Sequence, residues 1–140
     1  MIIADSGFFI ALADAGDAHH ARARAAADEL DEGWITTWPV VTESCHLIGR
    51  RLNPEAAIAL IDDVAHAVIE VWDPPRSAWA RAPALMRRYA NLPMDLADAS
   101  LVLLAEHLGH GRIFSTDRRD FGAYRWKNRK PFRNLLEPLP

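Results

Sequence analysis

Short apolar segments alternate along this chain with longer stretches of helical spacing. β-Branched and aromatic residues predict strands at 2–4, 34–37, 67–72 and 112–115, with an edge strand near 132–136. Helical spacing and start signals predict helices at 8–12, 17–32, 39–52, 53–66, 77–89 and 95–108. Strands that alternate with helices favour an α/β fold with a parallel sheet and right-handed crossovers.

The most apolar of these helices begins after Pro93 with two acids. Asp95 and Asp98 are three residues apart, so both carboxylates lie on one face of the first turn. An acid at the N-cap and another at N3 also satisfy free amides and the helix dipole. On local grounds the pair therefore serves either as a cap or as part of a site.

Other acids occupy comparable places. Asp5 follows the first predicted strand, and Asp117 follows the fourth. Glu43 lies in the second turn of the helix at 39–52, beside the inner stripe predicted for Val41, Cys45, Ile48 and Leu52. Because ligands bind at the carboxyl ends of parallel strands, these acids are expected to converge, although Asp5 can also be explained as a cap of the next helix.

A cluster of carboxylates requires either a cation beside it or protonation of most of its members. Two carboxylates about 4 Å apart repel by about 4 kcal/mol at an effective dielectric near 20. A site built from oxygen ligands suits Mg²⁺ or Mn²⁺ rather than zinc or copper. Such ions lower the pKa of a bound water and stabilise the leaving oxygen of a phosphodiester. A metal site of this kind is therefore suited to phosphodiester hydrolysis, with the basic C-terminal run available to hold a phosphate backbone.

Charge is unevenly distributed. The chain has a formal net charge of −3, with +5 on residues 110–140 and −8 on residues 1–109. The densest basic run extends from residue 125 to residue 133, with Trp126 and Phe132 among its cations. A basic C-terminal part on an acidic body suggests a polyanionic partner.

Composition limits the class of protein. With 140 residues, half of them hydrophobic and a quarter charged, the chain is expected to form a single globular domain over 1–140. No apolar run has the length of a membrane span, and the N-terminus lacks the basic region of a signal peptide, so we expect a cytoplasmic protein without membrane contact. The single cysteine, Cys45, excludes an internal disulfide and a thiolate zinc cluster.

Several short motifs together resemble one family. They are Asp5-Ser6 after the first strand, Thr42-Glu43, Asp95-Leu96-Ala97-Asp98-Ala99, Ser115-Thr116-Asp117 and Asp120-Phe121. In this order they are similar to the PIN-domain fold, and more narrowly to the VapC-type toxins of prokaryotic toxin–antitoxin pairs, over about residues 2 to 135. The resemblance implies a three-layer α/β/α fold with a central parallel sheet of four to five strands.

The resemblance also implies roles for individual residues. The acidic quartet of the family corresponds to Asp5, Glu43, Asp98 and Asp117, which would be catalytic. Asp5, Asp98 and Asp117 would bind Mg²⁺ or Mn²⁺, with Asp95 as an additional acid at the edge of the site. Ser6 and Thr116 would orient ligands or water, and Asp120 would be structural.

The implied activity is that of an endoribonuclease that cuts RNA with an activated water. RNA contacts are expected at Arg118, Arg119, Arg125, Lys127 and Arg129. Toxins of this type are usually inhibited by a cognate antitoxin, so we expect that partner and either a homodimer or a toxin–antitoxin hetero-oligomer.

Two other classes of function are weighed against the nuclease. A receiver or phosphatase-like phospho-acceptor domain would have paired acids after the first strand and a lysine after a late one, whereas the only lysines are Lys127 and Lys130. A PIN-like scaffold could bind RNA or protein without cutting it, but the intact quartet argues against that alternative.

Overall fold

The computed structural model describes residues 1–137 and has a parallel sheet at its centre. In chain order its elements are β1 Ile2–Ala4, α1 Ser6–Ala13, α2 His20–Glu29, β2 Trp34–Thr37, α3 Trp38–Arg51, α4 Pro54–Ala65, β3 Ile69–Trp72, α5 Arg76–Trp79, α6 Ala82–Arg88, α7 Leu96–Leu108, β4 Arg112–Phe114, α8 Arg118–Ala123, β5 Arg125–Trp126, β6 Lys130–Pro131 and β7 Arg133–Asn134.

The five-stranded sheet has the order β3-β2-β1-β4-β7, and each neighbouring pair is parallel. Helices surround this sheet, which confirms the predicted α/β/α architecture and the edge strand near residues 132–136. The predicted strands did not include β5 and β6, which pair as a separate antiparallel hairpin. At its turn, Lys127 and Asn128 have φ values of 48° and 64°.

The core lies between the sheet and its two most apolar neighbours, α1 and α7. All three residues of β1 are fully buried, as expected for the central strand of a sheet that is covered on both faces. Phe8 stacks on Phe114 with ring centroids 4.5 Å apart. On the other side of β1, the Thr37 and Ser100 hydroxyls are 2.6 Å apart, so a buried polar pair joins β2 to α7. The start of α7 is thereby held against the sheet.

Several predicted boundaries were wrong for local physical reasons. The first helix begins at Ser6 rather than residue 8 because the Asp5 side chain caps it. The helix predicted at 17–32 covers only His20–Glu29, since Asp17 forms a turn by accepting the His19 N–H at 2.8 Å. The third strand begins at Ile69 rather than residue 67 because Ala67 has a φ of 58°, which no strand accommodates.

The inner stripe predicted for α3 was only partly correct. Val41 and Ile48 are buried, but Cys45 is only half-buried. Leu52 is 38% exposed because α3 ends at Arg51 and Leu52 turns away as its C-cap. None of the helices within residues 1–137 is long and apolar enough to cross a membrane.

Candidate active site

Asp5 is the most deeply buried acid of the predicted quartet. It follows β1 directly and begins α1, and only 6% of it is exposed. Its Oδ1 accepts the Ser6 N–H at 2.7 Å, and its Oδ2 accepts the Ser115 hydroxyl at 3.0 Å. The pKa of Asp5 is raised to about 6, chiefly by burial and to a smaller extent by the nearby carboxylates of Glu43 and Asp117, although the hydrogen bonds from Ser6 and Ser115 oppose the shift. Asp5 is therefore both a helix cap and a perturbed acid.

Asp95 and Asp98 also combine the two roles that the sequence left open. Asp95 is the N-cap of α7, and its Oδ1 accepts the Asp98 N–H at 2.8 Å. Asp98 Oδ2 accepts the hydroxyl of Tyr124 at 2.8 Å. Burial raises the pKa of Asp98 to about 7, with added contributions from the charges of Asp95 and Asp5. Capping by Asp95 thus leaves the Asp98 carboxylate free for other partners.

Glu43 and Asp117 complete the group from two further elements. Glu43 projects from the second turn of α3, where burial, and then the charge of Asp95, raise its pKa, while the Ser6 hydroxyl lowers it. Asp117 begins α8, and its Oδ1 accepts the Asp120 N–H at 3.0 Å. Each of the five predicted acids either raises the pKa of another acid in the group or has its own pKa raised by one, so their charges interact and they form one cluster. This cluster lies at the carboxyl end of β1 and β4.

Ser115 connects two acids of the cluster and was missed in the sequence. Its hydroxyl donates to Asp5 Oδ2 and accepts the Asp117 N–H, both at 3.0 Å, and the residue is 1% exposed. The neighbouring Thr116, which the sequence suggested instead, lies against Gly7, where any Cβ would collide with the threonine side chain. The signal that could have identified Ser115 is its position directly after β4, the place that Asp5 occupies after β1.

The acid cluster offers carboxylate oxygens as ligands for a divalent ion. Among residues 1–137, no three Asp, Glu, His or Cys side chains are already grouped as a metal cage. Mg²⁺ does not need one, because it keeps several waters and is usually held by one or two carboxylates. The raised pKa values of Asp5 and Asp98 reflect a cost of ionisation that a cation would offset. The carboxylates therefore fit a hydrated Mg²⁺ or Mn²⁺ ion.

Comparison with known proteins assigns the fold to a family. The family model of the PIN domain matches residues 2–127. The chain belongs to the PIN-domain family. The resemblance noted in the sequence is thereby confirmed.

This PIN domain is similar to two known proteins, one in sequence and one in fold. It is 26% identical over 124 residues to "Ribonuclease VapC26" of Mycobacterium tuberculosis, a match that covers 89% of this chain and 92% of that protein. The crystal structure of M. tuberculosis VapC20, described as a toxin that cleaves the sarcin-ricin loop, superimposes with a TM-score of 0.79. That match covers 85% of this chain and 92% of the other at 23% identity, so it shows the shared fold.

Three of the five cations predicted to contact RNA are engaged within the PIN domain. Arg125 Nη1 donates to the carbonyls of Gly122, Ala123 and Tyr124 at 2.9, 3.2 and 2.9 Å. Its side chain therefore caps the carbonyls at the C-terminal end of α8. Arg118 lies 3.7 Å from Glu137, Nε to Oε1.

Arg119 ties two parts of the site together. Its Nη2 donates to the Leu92 carbonyl at 2.6 Å, and its Nε donates to Asp120 at 3.3 Å, which joins the segment before α7 to α8. Lys127 and Arg129 are exposed in the turn of the β5–β6 hairpin. Of the five predicted cations, these two are the ones best placed to meet a ligand.

Proposed function

We propose that this PIN domain is the toxin of a VapBC-type toxin–antitoxin pair, a metal-dependent endoribonuclease that hydrolyses RNA phosphodiester bonds. The observation that carries the proposal is the cluster of five acids at the carboxyl end of the sheet, in which Asp5 is buried, Glu43, Asp98 and Asp117 are half-buried and Asp95 is exposed at the edge. The names of the two mycobacterial relatives support RNA as the substrate. The sarcin-ricin loop that VapC20 cleaves is accordingly the first RNA to be tested.

Asp5, Asp98 and Asp117 would hold Mg²⁺ or Mn²⁺, with Asp95 at the edge of the site. When bound, such an ion lowers the pKa of water and stabilises the leaving oxygen. Glu43 is suited to accept the proton of the attacking water, because its pKa is raised towards the pH at which the enzyme works. Ser6 and Thr116 would orient water or phosphate beside these acids.

RNA would be held by cations that remain exposed. Lys127 and Arg129 lie in the turn of the β5–β6 hairpin, and Lys130 begins its second strand. Arg88 at the end of α6 donates to the side chain and carbonyl of Asn128 in the same turn, at 3.3 and 3.2 Å. We call Arg88, Lys127, Arg129 and Lys130 the basic ridge. Phosphate contacts of this kind supply affinity without sequence preference.

The biological setting follows from the same proposal. Residues 1–140 would form one domain that acts in the cytoplasm as a homodimer or as a hetero-oligomer with its antitoxin. The antitoxin would keep the nuclease inactive until it is released or degraded.

The alternatives predict different behaviour. A phospho-acceptor domain of the receiver type is disfavoured because it would have paired acids after the first strand, whereas Asp5 is followed by Ser6 and Gly7. Lys130 does not supply the lysine of a receiver site, since its Nζ lies 4.9 Å from the centre of the Trp126 ring. A non-cleaving scaffold would bind RNA without producing new ends.

Incubation of the purified protein with structured RNA tests the proposal directly. We expect cleavage in Mg²⁺ or Mn²⁺ that stops in EDTA and is abolished by Asp98→Asn. The matched control is Asp62→Asn, which removes an exposed carboxylate of α4 outside the cluster. Cleavage that survives in Asp98→Asn, or that needs no divalent ion, would contradict the assignment. RNA binding without cleavage in the wild type would favour the scaffold.

A further inference from the structure

Tyr124 is a buried residue to which the proposed chemistry assigns no part. It is fully buried beyond the end of α8, and its hydroxyl donates to Asp98 Oδ2 at 2.8 Å. The two residues are 26 positions apart in the chain, so the bond joins the end of one helix to the first turn of another. It connects the chain just after α8 to the acid cluster, whereas Asp117 contributes to the same cluster from the start of α8.

The Tyr124 ring is held from several sides. It meets the rings of Tyr89 and Phe121 edge to face, each with centroids 5.1 Å apart. Its N–H donates to the Asp120 carbonyl at 2.9 Å, and its own carbonyl accepts Arg125 Nη1 at 2.9 Å. Since these contacts hold both the ring and the backbone, they keep the hydroxyl oxygen of Tyr124 beside Asp98.

This rigidity determines which oxygen of Asp98 is occupied. Oδ2 accepts the tyrosine hydroxyl, whereas Oδ1 accepts no hydrogen bond from any residue between 1 and 137. A carboxylate anchored through one oxygen loses the freedom to rotate, and its second oxygen stays available to a cation. Partners that orient a metal ligand in this way typically account for about 10- to 100-fold in metal affinity.

We propose that Tyr124 is a positioning residue that holds Asp98 in the orientation in which it binds the divalent ion. The proposal rests on the function proposed above, because it assumes that Asp98 is a metal ligand. It adds that a residue beyond Asp117, the last acid of the cluster, helps to form the metal site. The Tyr124 hydroxyl would do so by orienting Asp98, without contacting the ion or the RNA.

The test compares two deletions of a buried tyrosine hydroxyl. Tyr124→Phe removes the bond to Asp98, whereas Tyr89→Phe removes a hydroxyl that accepts the Arg125 N–H at 3.1 Å and contacts no acid. Mn²⁺ binding to each metal-free protein is measured by calorimetry, and cleavage is measured across a range of Mn²⁺ concentrations. We expect Tyr124→Phe to weaken Mn²⁺ binding by about tenfold. At saturating Mn²⁺ its kcat should recover, with an unchanged KM for RNA, and Tyr89→Phe should bind Mn²⁺ like the wild type.

A second measurement applies even if Tyr124→Phe does not fold. The chain contains two tyrosines, so Tyr89→Phe protein labelled with ¹³C at tyrosine Cζ gives a single resonance, that of Tyr124. Addition of Mg²⁺ should shift this resonance, and Asp98→Asn should abolish the shift.

Two results would overturn the proposal: Mn²⁺ affinity of Tyr124→Phe equal to that of the wild type, or a Tyr124 resonance that does not respond to Mg²⁺. If the wild type itself neither binds Mn²⁺ nor cleaves RNA, the proposed function fails and this inference fails with it. If the wild type does both while Tyr124→Phe is unchanged, only the inference fails.

Discussion

Replacement of Asp98 by Asn should make the metal-free protein more stable at about pH 8 and should greatly reduce the stability that it gains from Mg²⁺. Burial raises the pKa of Asp98 to about 7 from the usual 3.8. The folded state therefore keeps the proton to a higher pH than the unfolded state does. This stabilising contribution is complete below pH 3.8 and is lost as the pH rises through 7, so above that value the folded protein contains an ionised carboxylate in an unfavourable place.

The size of the effect follows from the shift. About three pKa units correspond to about 4 kcal/mol if the carboxyl were fully buried. Because Asp98 is partly exposed, solvent screening reduces this figure to roughly 1–2 kcal/mol. An asparagine at this position still accepts the Tyr124 hydroxyl through its amide oxygen, so the substitution removes the charge without breaking that bond. For a domain of this length the melting temperature should rise by about 3–6 °C.

Thermal melts in EDTA and in Mg²⁺, at about pH 5 and about pH 8, measure both effects. In EDTA the wild type should be less stable at the higher pH, and Asp98→Asn should exceed it only there. In Mg²⁺ the melting temperature of the wild type should rise at the higher pH, whereas that of Asp98→Asn should rise much less. The matched control, Asp62→Asn, should behave like the wild type. A lower melting temperature for Asp98→Asn at pH 8 in EDTA, or an equal gain from Mg²⁺ in both proteins, would refute the reasoning.

Three further substitutions test other contacts. Ser115→Ala should lower the rate of cleavage by about tenfold or more and the free energy of unfolding by about 1–3 kcal/mol, because Asp5 loses a hydrogen-bond donor and the Asp117 N–H loses its acceptor. Initial rates and urea unfolding measure the two effects. Failure of Ser115→Thr to restore both would contradict the prediction. Lys127→Ala should raise the KM for RNA, leave kcat unchanged and reduce the salt slope of binding by about 0.7, and an unchanged slope would exclude a phosphate contact. Gly7→Ala should lower the melting temperature, because the added methyl group collides with the Thr116 side chain. A second substitution, Thr116→Ala, should partly restore the melting temperature. If the losses of the two single variants simply add in the double variant, the two side chains do not collide.

The local chain already specified most of the elements. Asn53 followed by proline begins α4, with the asparagine side chain accepting the Ala56 N–H at 2.9 Å. Gly109 ends α7 with a φ of 78°, a backbone conformation that glycine adopts without a Cβ penalty. The hairpin of β5 and β6 escaped prediction because its turn places Lys127 and Asn128 at positive φ without a glycine to mark it.

Which acids to consider could be read from the chain, because each stands at the end of a strand or in the first turns of a helix, and parallel sheets bring such ends together. The partners of those acids could not. Ser115 reaches Asp5 across 110 positions, and Tyr124 reaches Asp98 across 26. Arg125, a cation that composition alone assigned to RNA, instead closes a helix through three carbonyls. Caps and turns depend on residues a few positions apart, so the sequence determines them locally. A hydrogen bond between distant side chains forms only when packing has set their separation and direction. The partners of the acids were therefore decided by the tertiary structure.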